Sequence, residues 1–330
     1  MDKKILLYTL FQRKDFESEE RRNGIEALRK LADVEFHEQK VMTAEHGEGV
    51  VAVIAGSEKF TPEFYEAAKD LLIIARWGVG FDQVNVDVAT EYGVLVTVAP
   101  AHMVTVAEYT VAQWLATMKR TYMLNEMSHA GDFSIIRTYE IDGSTLGLYG
   151  LGRIGQAVAE RARPLLGENG RLLVYDIRPD IEEIAARYDA EVVGDPMILF
   201  EACDTVSLHI AGDNSIVGYE QLCAMQPHAS LINPSRGNLV DDEAVKRAIA
   251  ENRLCYYVVD DPVSGPRAIH KDNPRVICTN HNGGSTVESC IRLDMTTFDQ
   301  VTATLEGRRP QHVLNEAVLE HPRVQQLFGS

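Results

Sequence analysis

The sequence predicts an α/β protein built from two doubly wound parallel sheets. Three observations carry that expectation. Short, continuous apolar runs such as Val50–Ala55 and Leu71–Ala75 alternate with stretches of helical spacing, the pattern of strands covered on both faces. The alternation starts again at Thr145, after a mostly apolar stretch at Val106–Met118. A chain of 330 residues is long enough for two domains of ordinary size.

Taken in order, Ile5–Leu10 is expected as the first strand and Ser18–Leu31 as a helix. Val34–His37 and Val50–Ala55 follow as strands. Thr61-Pro62-Glu63 opens a helix with proline in its first turn. Leu71–Ala75 is a strand, Asp87–Tyr92 a helix and Val94–Val98 a strand. Ala99-Pro100-Ala101 reads as a hinge. The Val106–Met118 helix is apolar on most faces, which predicts burial between domains or at a subunit contact. The second series has strands at Thr145–Tyr149, Arg171–Asp176, Glu191–Val193, Thr205–Ile210, Ser230–Asn233, Tyr256–Asp260 and Val276–Thr279. A long helix runs from Ser285 to Glu306. The remainder is polar, and Pro310 and Pro322 are expected to break any regular element. No internal repeat is visible at the residue level.

A formal charge of −17 argues against nucleic acid, because phosphate binding needs clustered Lys and Arg. It leaves room for an anionic substrate, since one arginine can dominate a pocket. The five cysteines form no C-x-x-C pair and are odd in number, which suits free thiols in a reducing, cytoplasmic compartment. Ile5–Leu10 is too short for a signal peptide's apolar region. No run approaches the ~20 apolar residues of a membrane helix. No metal site is expected.

Gly150-Leu151-Gly152-Arg153-Ile154-Gly155 lies between an apolar strand and a helical stretch. Strand, G-x-G-x-x-G and helix together form a dinucleotide-binding turn. Gly150 allows the tight turn, Gly152 lets a pyrophosphate approach the backbone, and Gly155 lets helix and strand pack closely. The phosphates would then meet free N–H groups at a helix N-terminus. The next strand ends in Asp176, an acid placed to bind ribose hydroxyls and to repel a 2′-phosphate, so NAD is expected over NADP. Arg178 is read as a solvated surface arginine, or as a charge that softens this preference.

Three later stretches end strands, where doubly wound sheets bind ligands. They are Asn233–Asp241, Val258–Pro262 and Thr279–Thr286. Arg236 offers a planar fork for a carboxylate, and His281 can give or take a proton near neutral pH. Hydride transfer at a hydroxyl-bearing carbon needs both. Taken singly, Arg236 suits a loop ion pair and His281 a helix cap; beside a dinucleotide turn, the pair reads as an active site.

These residues resemble the D-isomer-specific 2-hydroxyacid dehydrogenase family, which includes phosphoglycerate, D-lactate and glyoxylate/hydroxypyruvate dehydrogenases. Arg76–Asp82 looks like its R-x-G-x-G-x-D loop, Thr105–Glu108 its S-V-A-E helix start, and Gly147–Gly155 its fingerprint. Asn233–Asp241 matches N-x-x-R-G-x-x-V-D, and His281–Thr286 matches H-x-G-G-S-T. The resemblance implies a flavodoxin-like substrate domain, residues 1–101 with 286–330, and an inserted Rossmann NAD-binding domain, residues 102–285, with substrate in the cleft. It implies that Arg236 holds a substrate carboxylate and polarises the C2 oxygen, and that His281 moves the hydroxyl proton. Trp77, Gly78, Val79 and Gly80 would contact substrate, the glycine-loop N–H groups gripping the carboxylate. Arg153 and Ile154 would lie on the pyrophosphate, Asp176 on the ribose and Asp260 on the nicotinamide amide. Thr105, Pro234 and Ser235 fall at cofactor positions. The family usually forms a homodimer through its cofactor domain, which would suit the Val106–Met118 helix.

One departure stands out. The family places a Glu, followed by Pro, soon after the strand matching Val258–Asp260, and that Glu pairs with the catalytic His. Here the position in register is Gly265, before Pro266. His281 is therefore expected to lose its proton more readily than a paired histidine; Asp261 and Glu288 read as surface acids, the alternative being that one of them, or a substrate group, supplies the missing charge. The leading expectation is an NAD-dependent oxidoreductase interconverting a small D-2-hydroxy acid and its 2-keto acid. The alternatives are an NAD(H)-binding sensor or corepressor-like protein with little turnover, favoured by Gly265, and hydride transfer with a one-carbon or inorganic anion as substrate, which needs less proton transfer. Ser57, His102, Met103 and Arg13 are further residues that could face a substrate, though each suits an ordinary loop role.

Overall fold

The computed structural model describes residues 3–81, 83–212 and 214–329. The chain divides into two compact units, Met1–His102 with Thr286–Ser330 and Met103–Ser285.

The first unit holds strands β1 (Lys4–Tyr8), β2 (Asp33–His37), β3 (Val41–Met42), β4 (Val50–Ala55), β5 (Lys59–Phe60), β6 (Ile73–Arg76) and β7 (Leu95–Thr97). Five of them form one parallel sheet in the order β2-β1-β4-β6-β7. This is the flavodoxin-like winding. β3 and β5 make a separate two-stranded ladder. Side chains alternate across the sheet, as a pleated strand requires. Ile5, Leu7, Ile54 and Ile73 enter one core, and Leu6, Val53 and Ile74 enter the core on the opposite face. The Val287–Leu305 helix brings Phe298 and Val301 into the first of these.

The second unit carries β8 (Thr145–Tyr149), β9 (Arg171–Tyr175), β10 (Glu191–Val192), β11 (Thr205–Leu208), β12 (Ser230–Asn233), β13 (Tyr256–Val259) and β14 (Val276–Cys278). Their order is β10-β9-β8-β11-β12-β13-β14, all parallel. The direction of winding reverses between β8 and β11, which is where a Rossmann sheet opens its ligand crevice.

Within this chain the helix Met103–Met118 buries Val106, Ala107, Thr110, Trp114 and Met118, while Val104, Glu108 and Ala112 are exposed. Two expectations change. Pro322 opens a helix, Pro322–Phe328, instead of ending structure; proline at the first helical position costs no hydrogen bond. A helix at Thr121–His129 was not expected, because its boundary is Arg120 in the left-handed conformation (φ 50°) and no glycine marks it.

Candidate active site

The glycine turn sits at the carboxyl end of β8. Gly150 has φ +100°, and a Cβ there would lie 2.6 Å from the His209 carbonyl oxygen. A Cβ on Gly155 would overlap the Gly150 carbonyl. Both positions therefore demand glycine. Gly152 is different: a Cβ there would meet nothing within 4 Å. It is the N-cap of the Arg153–Leu166 helix and supplies no side-chain cap. Open ground before an uncapped helix N-terminus is what a pyrophosphate needs. Asp176, just after β9, accepts the Leu151 N–H (2.7 Å) and the Arg178 N–H (3.0 Å). The acid is thus pinned against the same turn. The Arg178 side chain pairs with Asp180 at 2.7 Å instead. Burial pushes the His209 imidazole down to about 3, so a neutral ring backs the turn. These residues fit a dinucleotide.

The loops after β12, β13 and β14 carry the remaining polar groups. After β12, the Ser235 hydroxyl donates to the Leu208 carbonyl (2.8 Å), and Asn233 Nδ2 donates to the Arg236 carbonyl (2.7 Å). These bonds fix the loop, and half-buried Arg236 donates from Nη1 to the Ser235 carbonyl at 3.0 Å. Asp241 at the end of this motif caps the Asp242–Ala250 helix, accepting the Glu243 and Ala244 N–H groups at 3.0 and 3.2 Å. Asp241→Ala is expected to cost about 1 kcal/mol of stability, read as a lower urea midpoint with unchanged slope.

After β14, His281 takes a left-handed backbone conformation (φ 55°). Asp260 holds that loop: it accepts the Thr279 hydroxyl and the N–H groups of Asn282 (2.8 Å) and Gly283 (2.7 Å). His281 Nδ1 lies 3.2 Å from the Asp260 carbonyl and 3.3 Å from Asp261 Oδ1. The expected readier loss of the His281 proton is therefore corrected. The bond to Asp261 raises the imidazole's proton affinity; burial and the Arg236 guanidinium oppose it, and Asp260 supports it. Burial pushes the Asp261 carboxyl up, but His281, the Gly237 N–H and Arg267 together hold it below its ordinary value. Both shifts favour an imidazolium–carboxylate pair. Gly265 has no such role, and Asp261 is not a free surface acid.

In the first unit, Arg76 staples the loop that follows β6. Its guanidinium donates to the Ala55 (2.8 Å) and Gly80 (2.9 Å) carbonyls. The Trp77 indole N–H donates to Asp294 (2.7 Å), which also forms a two-pronged pair with Arg21 at 2.7 and 3.0 Å. Arg21 and Asp294 are 2% and 1% exposed. The Gly78 N–H already donates to the Arg76 carbonyl (2.9 Å), which takes it out of the expected carboxylate grip. Asp82 lies outside the described residues. Arg13 pairs with Asp15.

Sequence reading missed Arg267, Arg21 and Asp294, and left Asp261 as one of several candidates for the missing charge. The doublet Asp260-Asp261 at a strand end was one available signal. Asp294 stands on the buried face of its helix, four residues before Phe298 and seven before Val301, where an acid needs a partner.

A glycine turn of this form, with a guanidinium and an imidazole–carboxylate pair on neighbouring strand ends of the same sheet, defines a pyridine-nucleotide oxidoreductase. Residues 111–283 match the family model described as D-isomer specific 2-hydroxyacid dehydrogenase, NAD binding domain. The chain is 34% identical over 277 residues to a D-3-phosphoglycerate dehydrogenase of Methanocaldococcus jannaschii, covering 80% of this chain but 51% of that longer one. It is 31% identical to a glyoxylate reductase of Korarchaeum cryptofilum, covering 78% of this chain and 80% of that one. A solved glyoxylate reductase from Paecilomyes thermophila shares the fold, with TM-score 0.80 at 22% identity over 96% of this chain and 99% of that one. The chain belongs to the D-isomer-specific 2-hydroxyacid dehydrogenase family, and its cofactor is NAD.

Proposed function

We propose that this enzyme interconverts a small D-2-hydroxy acid and its 2-keto acid. The observation that carries the reading is the His281–Asp261 pair at the end of β14, with Arg236 close enough to influence the imidazole. Arg236 binds the substrate carboxylate through its planar fork and polarises the C2 oxygen. Nδ1 of His281, bonded to a carboxylate, keeps its proton, so Nε2 exchanges a proton with the C2 oxygen. The nicotinamide, when bound, supplies or accepts the hydride at C2. In reduction, protonated His281 delivers its proton to the alkoxide oxygen and ends neutral; in oxidation, neutral His281 removes the hydroxyl proton. Gly150, Gly152, Arg153, Ile154 and Gly155 are assigned to the pyrophosphate, and Asp176 to the ribose. Thr105, Pro234, Ser235 and Asp260 are assigned to the rest of the cofactor. Trp77, Val79 and Gly80 are assigned to substrate by their place in the family motif.

The pairing of His281 with Asp261 supports turnover over a sensor, because it offers the histidine a carboxylate that Gly265 cannot. A homodimer formed through the second unit belongs to the same proposal. Its support is the exposed apolar surface of that unit, where Phe133 is 82% and Ile135 99% exposed. A cytoplasmic location is also proposed; among the described residues, no helix is long and apolar enough to cross a membrane.

The test is NADH absorbance against a panel of 2-keto acids, with NADPH in parallel. The expected result is turnover of at least one small keto acid with NADH, and at least about tenfold weaker use of NADPH because Asp176 opposes the added phosphate. Tight NADH binding without turnover of any panel member would return the reading to a sensor.

A further inference from the structure

The Asp261 carboxylate reaches two loops at once. Its Oδ1 faces His281 Nδ1 at 3.3 Å, and its Oδ2 accepts the Gly237 N–H at 2.8 Å. Gly237 is the residue after Arg236. The loop after β12 therefore carries the arginine, the loop after β14 carries the histidine, and the loop after β13, the strand between them, carries the acid that touches both.

The surroundings are built for this contact. Arg267 Nη2 stands 3.4 Å from Asp261 Oδ2, and Arg267 Nη1 stands 3.7 Å from Asp242. Asp242 in turn meets buried His270 at 3.0 Å. Arg267 and His270 both come from the 3-10 turn Gly265–His270, so that turn braces Asp261 from behind. A side chain on Gly237 would overlap Arg267 Nη1 and Asp261 Oδ2; only glycine lets carboxylate, guanidinium and backbone N–H converge here. His281 sits in a backbone conformation that a non-glycine residue adopts rarely, and such conformations persist only where surrounding contacts over-determine them.

We propose that Asp261 is a positioning residue that couples proton transfer to substrate binding, because one carboxylate sets both the imidazole of His281 and the backbone beside Arg236. The inference rests on the roles assigned above to those two residues. Its two oxygens do different jobs. Through Oδ1 the negative charge steadies protonated His281, alongside Asp260 and against Arg236. Through Oδ2 it pins Gly237 and hence the direction in which Arg236 leaves the loop. A carboxylate serving the histidine alone would affect only the pH profile; this one also affects the Michaelis constant of the keto acid.

Two variants separate the jobs. Asp261→Asn removes the charge but keeps a carbonyl oxygen able to accept the Gly237 N–H. It is expected to move the falling limb of the kcat/KM profile for reduction down by about one pH unit, with KM for the keto acid within about threefold of the parent at low pH. Asp261→Ala loses both contacts. It is expected to show the same downward move and also a KM raised about tenfold, since the Gly237 N–H loses a charged acceptor. NADH binding by fluorescence titration, unchanged in both variants, checks that the fold is intact.

Asp261→Ala with an unchanged KM would overturn the coupling, and Asp261→Asn with an unmoved limb would overturn the charge role. Titration of the His281 imidazole by NMR in the whole protein reads the charge role without any substrate. If no keto acid turns over, the proposed function fails, while a downward move of that titration in Asp261→Asn still upholds the pairing.

Discussion

Replacing His281 with alanine is expected to lower kcat/KM for keto-acid reduction by about 10²–10⁴-fold, the usual contribution of a positioned general acid. NADH affinity should hardly change, because no cofactor contact is assigned to the imidazole. The pH profile gives the sharper reading. Asp261 raises the proton affinity of His281 above that of an ordinary imidazole. Reduction consumes the protonated form, so its rate in the parent protein falls only as pH rises past the raised value. Oxidation needs the neutral form, so it gains over the same interval. His281→Ala removes the titrating group, and the residual reduction rate should lose that limb. A variant that kept a parent-like falling limb would place the proton donor elsewhere.

The second large effect is expected at Arg236. Truncating one partner of a desolvated charge pair costs about 2–5 kcal/mol, so Arg236→Ala should lower kcat/KM on the order of 10²–10³-fold. Most of that loss should appear as a higher KM for the keto acid, since the carboxylate is bound before and during hydride transfer alike. Arg236→Lys should recover only part, because an ammonium cannot offer the two parallel donors of a guanidinium. Steady-state kinetics at saturating NADH measure both. Arg236→Ala with an unchanged KM would remove this residue from substrate binding.

The fold was legible because its signals are local. β4 and β12 coincide with the apolar runs that predict them, and the glycine turn is readable from spacing alone. Errors fell at element edges. Leu10 extends the first apolar run but lies in a 3-10 turn, Thr9–Gln12, where the strand has already ended at Tyr8. Arg236 and His281 were legible because each stands in a spaced motif. Asp261 was legible only as one candidate among several for the missing charge: its pairing depends on a hydrogen bond to a residue 20 positions away, and no periodicity encodes which loop an acid will face. The consequence drawn from Gly265 was wrong for the same reason. A missing carboxylate in register was visible, but which of Asp261, Glu288 or a substrate group would take its place was not. The Arg21–Asp294 pair joins residues 273 positions apart, which is equally beyond local reading.

The chain enters the first unit, leaves it at His102 and returns at Thr286. All seven strands of the second sheet are therefore finished on the ribosome before the first sheet has its full cover. A nascent chain ending before the return already holds β1, β4 and β6, yet lacks Phe298, Val301, Val318 and Val324, which complete their core. The core of this unit is therefore incomplete until the returning segment has been made. During that interval an apolar sheet face waits without its lining, and it is this half of the molecule that would call on a chaperone.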